Sequence, residues 1–335
     1  GSSANAPAWL FNKRIAYWSG IEHRYGQVWT MNADGTDRKQ LTIAAAPASS
    51  DNPTWSPDGS RAVLGDEPNA QLGLIQRERQ TVLFDSSAPT QSLSLHYVDR
   101  PTLVAGEPVT TVASLPRIGE GHAPFWLDNE TVAYIARIDG RFSRPAQEIV
   151  YTPAEENNPQ VLLNTEDLLE ALEHQASLER LFWIHYVVVH PDNNDLLLVA
   201  AFGAWDQQVK LFSYERSSGE VKHLMNTGYT ANHTLSISPD GRFLAMTGND
   251  VDDPDRKREN MLLQVYDIQT GDNTPFLAIG ADFPPFTTYD WSADGRWLAM
   301  MLDQNLIGLY APMEGALHLV QTTSSRCTSP SWINR

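Results

Sequence analysis

This sequence of 335 residues has no pair of cysteines, no apolar run long enough to span a membrane and no excess of basic residues. Cys327 is the only cysteine, so no disulfide can form within the chain, and cysteine usage does not decide the redox compartment. No apolar run approaches the ~18 residues that cross a bilayer. The chain holds 24 Lys and Arg against 41 Asp and Glu, a formal net charge of -17. No nucleic-acid partner is expected, because binding a phosphate backbone needs clustered basic side chains.

What the sequence does have is a repeated turn frame, Ser-Pro-Asp-Gly, set between two hydrophobic strands. Proline suits an early turn position, aspartate bonds to the backbone two residues on, and glycine takes a positive φ angle. Repetition at about 40 to 70 residues, with strand patterns in each unit, is typical of a β-propeller. Clear copies surround Trp55, Ile237 and Trp291, and weaker copies follow Phe125 and Val187.

A second hairpin follows the frame in most units, so each unit supplies four strands, which is the blade of a propeller. The clearest example runs from Gly26 to Thr42. The first unit has only three strands, and residues 329–333 repeat the pattern of its missing inner strand. We therefore predict an all-β fold, a six-bladed β-propeller closed by pairing the C-terminal strand with N-terminal strands. One short inserted helix is expected after Asn164.

The repeats also resemble those of a known family. The stretch from Val28 to Gly35, followed later by Trp-Ser-Pro-Asp-Gly, looks like the WD-like repeats of TolB-type propeller proteins. This resemblance covers nearly the whole chain from about Lys13 and implies the propeller fold. TolB itself carries an extra N-terminal α/β domain, whereas a dozen residues precede the first blade here, which argues against a role in the Tol system. Peptidases of the prolyl oligopeptidase type carry similar repeats beside a hydrolase domain, but this chain has no Gly-x-Ser-x-Gly elbow.

The first residues are small and polar, so residues 1–12 are predicted to be a flexible tether ahead of one propeller domain at 13–335. This start resembles the segment after the lipid-modified cysteine of bacterial lipoproteins, although a cloning-derived leader would look much the same. The resemblance implies an extracytoplasmic protein, periplasmic or on the cell surface, with an N-terminal lipid tether. We expect a monomer without a transmembrane segment.

Loops opposite the turn frames form the predicted binding face, because the long insertions fall mostly there. In a propeller these loops gather at the mouth of the channel. Three histidines from different units are expected on this face: His23, which precedes Arg24, then His122 and His233. Neutral imidazoles from three blades can bind a transition metal, as in propeller-type pectate lyases that act on oligogalacturonides. Chance placement is the alternative, since no two of them form a close pair in sequence.

A second candidate set on the same face consists of Arg141, Arg144, Trp205 and Tyr229. Guanidinium groups and aromatic faces recognise carboxylates, peptides and sugar rings. Trp205 falls in a predicted loop with no obvious core to fill, although packing across a neighbouring blade would also explain it.

An acidic loop offers oxygen ligands of the kind that Ca²⁺ takes, from Asp250, Asp252, Asp253 and Asp255. It does not match the EF-hand loop, which has glycine at the sixth position and glutamate at the twelfth. The basic residues at 256–258 follow at once and can neutralise the carboxylates. A calcium site and a solvated charged loop therefore both stay open, and no cofactor is expected beyond calcium or a transition metal.

Two functions fit these patterns. The first is a non-enzymatic module that binds a protein or peptide at the channel mouth. The absence of a catalytic motif and the excess of acidic residues both favour it. The second is a metal-assisted lyase or hydrolase that acts on an acidic oligosaccharide, with Arg141 and Arg144 offsetting the negative charge locally. A purely structural role is a third reading, and a fold alone does not choose between them.

Overall fold

The computed structural model describes most of the chain in two compact units, Gly1–Asn164 and Thr165–Arg335. Each unit is built of antiparallel sheets, and each is described separately below. The described residues are 3–9, 14–21, 25–32, 34–40, 54–58, 61–66, 93–98, 117–137, 147–153, 158–172, 182–203, 206–250, 261–276, 289–303 and 306–321.

The first unit begins with a four-stranded sheet in chain order. Its strands are β1 (Ser3–Trp9), β2 (Arg14–Ile21), β3 (Tyr25–Asn32) and β4 (Lys39–Gln40). The structure thus places a strand within the expected flexible tether, and β2 pairs with β1 rather than with a C-terminal segment. The register shifts between Asn5 and Ala8, around Pro7, and this suits an edge strand because proline is tolerated at edges and bulges. Residues 329–333 lie outside the described residues, so ring closure and the count of six blades stay predictions.

Seven strands form a second sheet in the described part of the first unit, in continuous order from β11 to β5. They are β5 (Thr54–Trp55), β6 (Ala62–Asp66), β7 (Leu93–Val98), β8 (Arg117–Trp126), β9 (Thr131–Arg137), β10 (Gln147–Pro153) and β11 (Gln160–Asn164). The long strand β8 pairs with β7 through its first half and with β9 through its second half. One strand therefore ends one predicted blade and begins the next.

That arrangement corrects one predicted strand boundary. The sequence pattern predicts outer strands at 92–98 and 110–115, and β7 matches the first of these. The strand that pairs with β7 is the start of β8, from Arg117, whereas residues 110–115 lie outside the described residues.

The second unit opens with the one helix in the described part of the chain, α1 (Thr165–Glu170), at the predicted place. It buries Leu168 and Leu169 and lies against two strands of the sheet that follows. Three four-stranded sheets then run in chain order. They are β12 (Phe182–His190), β13 (Asn193–Gly203), β14 (Gln208–Glu215) and β15 (Glu220–Asn226); β16 (Tyr229–Ile237), β17 (Phe243–Asp250), β18 (Met261–Asp267) and β19 (Asn273–Phe276); and β20 (Tyr289–Trp291), β21 (Leu298–Asp303), β22 (Leu306–Ala311) and β23 (Ala316–Gln321).

The core of the second unit lies between successive sheets. Leu198 and Leu211 pack against Met246 of the next sheet, and on the opposite face of that sheet Leu263 packs against Met300. Sheets buried on both faces explain why the strands read as nearly continuous apolar runs. In the second unit, the β16–β19 sheet therefore buries both of its faces, one against each neighbouring sheet.

The predicted turn frame forms a repeated hydrogen-bonded structure. Buried Ser238 donates its hydroxyl hydrogen bond to Asp240 Oδ1 at 2.5 Å, and its Oγ accepts one from the Phe243 amide at 2.9 Å. The backbone amide of Gly241, at φ 72°, donates to the Ser238 carbonyl. The same side-chain bonds recur around Ser56 with Asp58 and Arg61, and around Ser292 with Asp294 and Trp297. These serines and aspartates hold the turns together.

Candidate functional site

Most of the predicted site residues lie outside the described part of the chain. His122, Tyr229, His233 and Asp250 lie on strands, so their backbone positions are described. The residues outside are His23, Arg24, Arg141, Arg144, Trp205, Asp252, Asp253 and Asp255.

The structure brings two predicted residues from different candidate sets to one end of one sheet. Tyr229 and Asp250 are backbone partners at the first pair of the β16–β17 hairpin. The turn frame at Ser238 closes the other end of that hairpin. Both residues therefore lie at the end opposite the turn, and their place in a binding face stays a prediction.

Three histidines share one position in the repeat. His122, His185 and His233 each stand five residues before the first residue of their turn, which is Leu127, His190 or Ser238. The strand register shifts at or directly after each of them. Bulges of this kind redirect side chains and are frequent next to active sites. His185 was missed by sequence reasoning, and its five-residue spacing is the signal that finds it.

Around His185 the side chains form an aromatic cluster, which we define as Trp183, His185 and Tyr186 of β12 with Phe202 of β13. The ring centroids of Trp183 and Phe202 are 4.8 Å apart, and those of His185 and Phe202 are 5.8 Å apart. Phe202 is buried, whereas the three residues on β12 are half-buried. Like Tyr229 and Asp250, the cluster lies at the hairpin end opposite the turn.

One hydrogen bond fixes the charge state of the imidazole in this cluster. The indole Nε1–H of Trp183 donates to His185 Nε2 at 2.6 Å. An indole nitrogen only donates, so Nε2 must accept and the ring is neutral. Burial raises the pKa of Tyr186, which keeps its phenol protonated. The cluster therefore presents neutral, amphipathic rings that combine apolar faces with polar atoms.

Asp206 and Gln207 directly precede β14 at the same end of its hairpin with β13, and Asp206 forms an ion pair. The buried Lys210 ammonium contacts Asp206 Oδ2 at 2.5 Å. Between them Gln207 has a φ of 56°, which a residue with a side chain adopts rarely, and such strain collects at functional sites. The ion pair joins Asp206 to β14 at the end of the hairpin where Phe202 pairs with Val209.

Within the described ranges, no group of three or more His, Cys, Asp or Glu residues is close enough to hold a metal ion. In that same part of the chain, no helix is long and apolar enough to cross a bilayer. The predicted acidic loop, from 251 onward, falls outside those ranges.

Neither a family model nor a curated protein matches the chain, whereas solved structures do. Oligogalacturonate lyase from Vibrio parahaemolyticus is 12% identical, with a TM-score of 0.56 over 95% of this chain and 77% of that one. The β-propeller domain of Cps50 (Swd1) from Myceliophteria thermophila is 11% identical, with a TM-score of 0.52 over 98% of this chain and 90% of that one. The fold is a β-propeller.

TolB from Acinetobacter baumannii is also similar, at 16% identity and a TM-score of 0.49 over 93% of this chain. The chain spans 64% of the length of that TolB chain. At these identities the likeness shows the fold alone, so the finer assignment to the TolB type stays a prediction. In a propeller the first strand of each blade is the innermost, and the contact between β12 and β16 agrees with this. The aromatic cluster therefore lies on an inner strand and its neighbour.

Proposed function

We propose that this chain is a non-enzymatic propeller module that binds a protein or peptide at the face opposite the turn frames. The observation that carries the proposal is the aromatic cluster on an inner strand, with a bulge at His185 and its imidazole held neutral by Trp183. Half-buried rings with a polar atom supply contact area at low entropic cost, as peptide-binding surfaces require. Tyr229 and Asp250 at the same end of the next blade extend this surface.

The acidic balance of the chain fits a ligand that carries basic residues. A net charge of -17 raises the encounter rate with cationic partners and disfavours anionic ones. Arg141 and Arg144 belong to the proposed site as groups that pair with a peptide carboxylate. The proposal also includes a monomer outside the cytoplasm, tethered by a lipid at its N-terminus.

Selection from a displayed library of random peptides tests this function. Peptides enriched on the wild-type chain should bind the Trp183→Phe variant at least about tenfold more weakly, because that variant loses the donor to His185 and part of the ring. Trp297→Leu is the matched control, since Trp297 is another half-buried tryptophan but lies at a turn frame. Enrichment of peptides that bind the wild type and Trp183→Phe equally would contradict the proposed site.

A second candidate function is a metal-assisted lyase that acts on an acidic oligosaccharide. The predicted set of His23, His122 and His233 supports it, together with the shared repeat position of His185 and His233 and the similarity in fold to an oligogalacturonate lyase. Calcium bound by Asp250, Asp252, Asp253 and Asp255 belongs to the same set of proposals. Incubation with oligogalacturonate and Mn²⁺, followed by ultraviolet absorbance of the unsaturated product, tests this activity. If the chain forms the unsaturated product and a chelator abolishes this activity, the lyase is the correct function and the binding module is not.

A further inference from the structure

The outermost strand of the last blade in the second unit is unusually apolar for a sheet edge. On β23, Leu317 is 39% exposed, Leu319 is 58% exposed and Val320 is 42% exposed. Leu319 stands opposite Gly308 of β22, which has no side chain to pack against it. In the described part of the chain no strand pairs with the outer edge of β23. On this strand, the exposed apolar side chains therefore accompany a row of backbone groups that pairs with no strand in the described ranges.

The other two outer strands of this unit carry the protection that sheet edges normally have. On β15, Glu220 and Lys222 form an exposed ion pair at 2.8 Å. On β19, Pro275 removes a backbone donor from the edge. Charged residues and proline at an edge prevent pairing with another chain. The sequence Ala-Leu-His-Leu-Val-Gln of β23 has neither.

The exposed side chains lie on both faces of β23, which restricts the shape of the partner. Leu317 and Leu319 point to one face, while Val320 points to the other, because side chains alternate along a strand. A flat surface docked on one face would leave the other face in water. An added strand covers both faces, because its own side chains alternate beside those of β23.

The net charge of the chain favours a different polypeptide, rather than a second copy of this chain, as the partner of β23. Two copies would bring together two chains of net charge -17 through one short strand pair, an interface well below the size of a stable dimer. A segment with basic residues outside the paired stretch is instead attracted by the acidic chain. We propose that β23 is a docking edge for an extended segment of another protein, with apolar residues at alternate positions and flanking Lys or Arg. This edge is separate from the aromatic cluster.

The probe is a synthetic peptide of about ten residues, with Val and Thr alternating in its centre and two lysines at each end. We expect it to bind the full chain and to slow hydrogen exchange of the amides at 316–321. The same peptide with an N-methyl group on every backbone nitrogen of its centre keeps its side chains but cannot donate a hydrogen bond along either edge, so it should not bind. Absence of binding by the unmodified peptide, or equal binding by the methylated peptide, would overturn the proposal.

Leu319→Lys places a charge at the centre of the edge and should weaken peptide binding at least about tenfold. The chain should still fold, because Leu319 is exposed. Val161→Lys makes the same change at an exposed valine on another outer strand, β11, and should leave binding unchanged. Unaltered binding by Leu319→Lys would refute the assignment to β23.

Sedimentation of the wild type and of Leu319→Lys tests whether a second copy of the chain occupies the edge. If the wild type is a dimer and Leu319→Lys is a monomer, the partner at β23 is a second copy, and the proposed partner is wrong.

Discussion

At the scale of single residues, the serine hydroxyl that begins each turn makes two hydrogen bonds in a buried place. In Ser238→Ala, Asp240 loses a donor and the Phe243 amide loses its acceptor. We expect the free energy of unfolding to fall by about 1 to 3 kcal/mol, because a buried amide left unpaired bears its full desolvation cost.

Urea denaturation measures this loss, with Ser218→Ala as the control. Ser218 also donates to a carboxylate, that of Glu215, but it is exposed, so its replacement should change the stability by less than about 0.5 kcal/mol. Equal losses for the two variants would show that the turn serine is not a structural element.

A half-buried histidine makes the stability depend on pH. Burial lowers the pKa of His223, and its Nε2 atom is buried without a hydrogen-bond partner in the described part of the chain. Its pKa is therefore lower in the folded chain than the ordinary value of about 6.5 that it has when unfolded. As pH falls below about 6.5, the unfolded state takes up the proton first, so stability is lost until the folded pKa is passed.

We expect His223→Leu to flatten the decline of stability between about pH 7 and pH 5, because the group that titrates is gone while an apolar contact with Phe212 remains. Urea denaturation at several pH values measures the slope. A variant slope as steep as that of the wild type would assign the pH dependence to other groups.

At the scale of elements, neighbouring turns in the second unit fit closely together. Gly295 has a φ of 68°, and a Cβ atom on it would lie 2.7 Å from Asp240 Cγ of the preceding turn. Asp240 is itself held by Ser238 and Arg242, so it cannot easily move aside. Gly219 has a similar φ of 73°, but nothing lies within 4 Å of its added Cβ.

Alanine substitution at Gly219 and at Gly295 distinguishes the stability cost of a positive φ from the cost of a collision between turns. Gly219→Ala should cost about 1 kcal/mol of stability for the positive φ alone. Gly295→Ala should cost at least about 1 kcal/mol more, because the new methyl group collides with the neighbouring turn. Urea denaturation of both variants gives the difference. Equal costs would mean that the turns do not pack against each other.

The sequence predicts elements whose determinants are local. The turn at Ser238 is predictable because its serine, aspartate and glycine bond within the turn itself. Helix α1 is predictable from its acidic first turn and paired leucines. The start of β8 was not predicted, because the sequence pattern assigned the outer strand to 110–115, whereas β7 pairs with a segment that contains Gly119 and Gly121. Both glycines lie so close to β9 that a Cβ on Gly121 would be 2.5 Å from the carbonyl oxygen of Ile135.

The candidate site was harder to predict, because it depends on contacts between strands. The aromatic cluster needs Trp183 and His185 beside Phe202, a residue about twenty positions later in the chain. Alternation along β12 does not reveal the bulge that places His185 there. The predicted residues Tyr229 and Asp250 do meet at one end of a hairpin, because strand pairing of the repeat fixes that register.

At the scale of the whole molecule, the charge of -17 acts on stability as well as on partners. Excess negative charge destabilises a compact chain through self-repulsion, and salt screens it. We expect the melting temperature to rise when NaCl increases from about 10 mM to about 300 mM. A neutral osmolyte at equal osmolality is the control. A melting temperature that falls with salt would mean that favourable ion pairs outweigh the repulsion.

The most direct test of the binding module is calorimetric titration of the most enriched library peptide into the wild-type chain, Trp183→Phe and Trp297→Leu. The account predicts saturable binding to the wild type, a dissociation constant at least about tenfold higher for Trp183→Phe, and an unchanged value for Trp297→Leu. Equal dissociation constants for wild type and Trp183→Phe would contradict binding at the aromatic cluster.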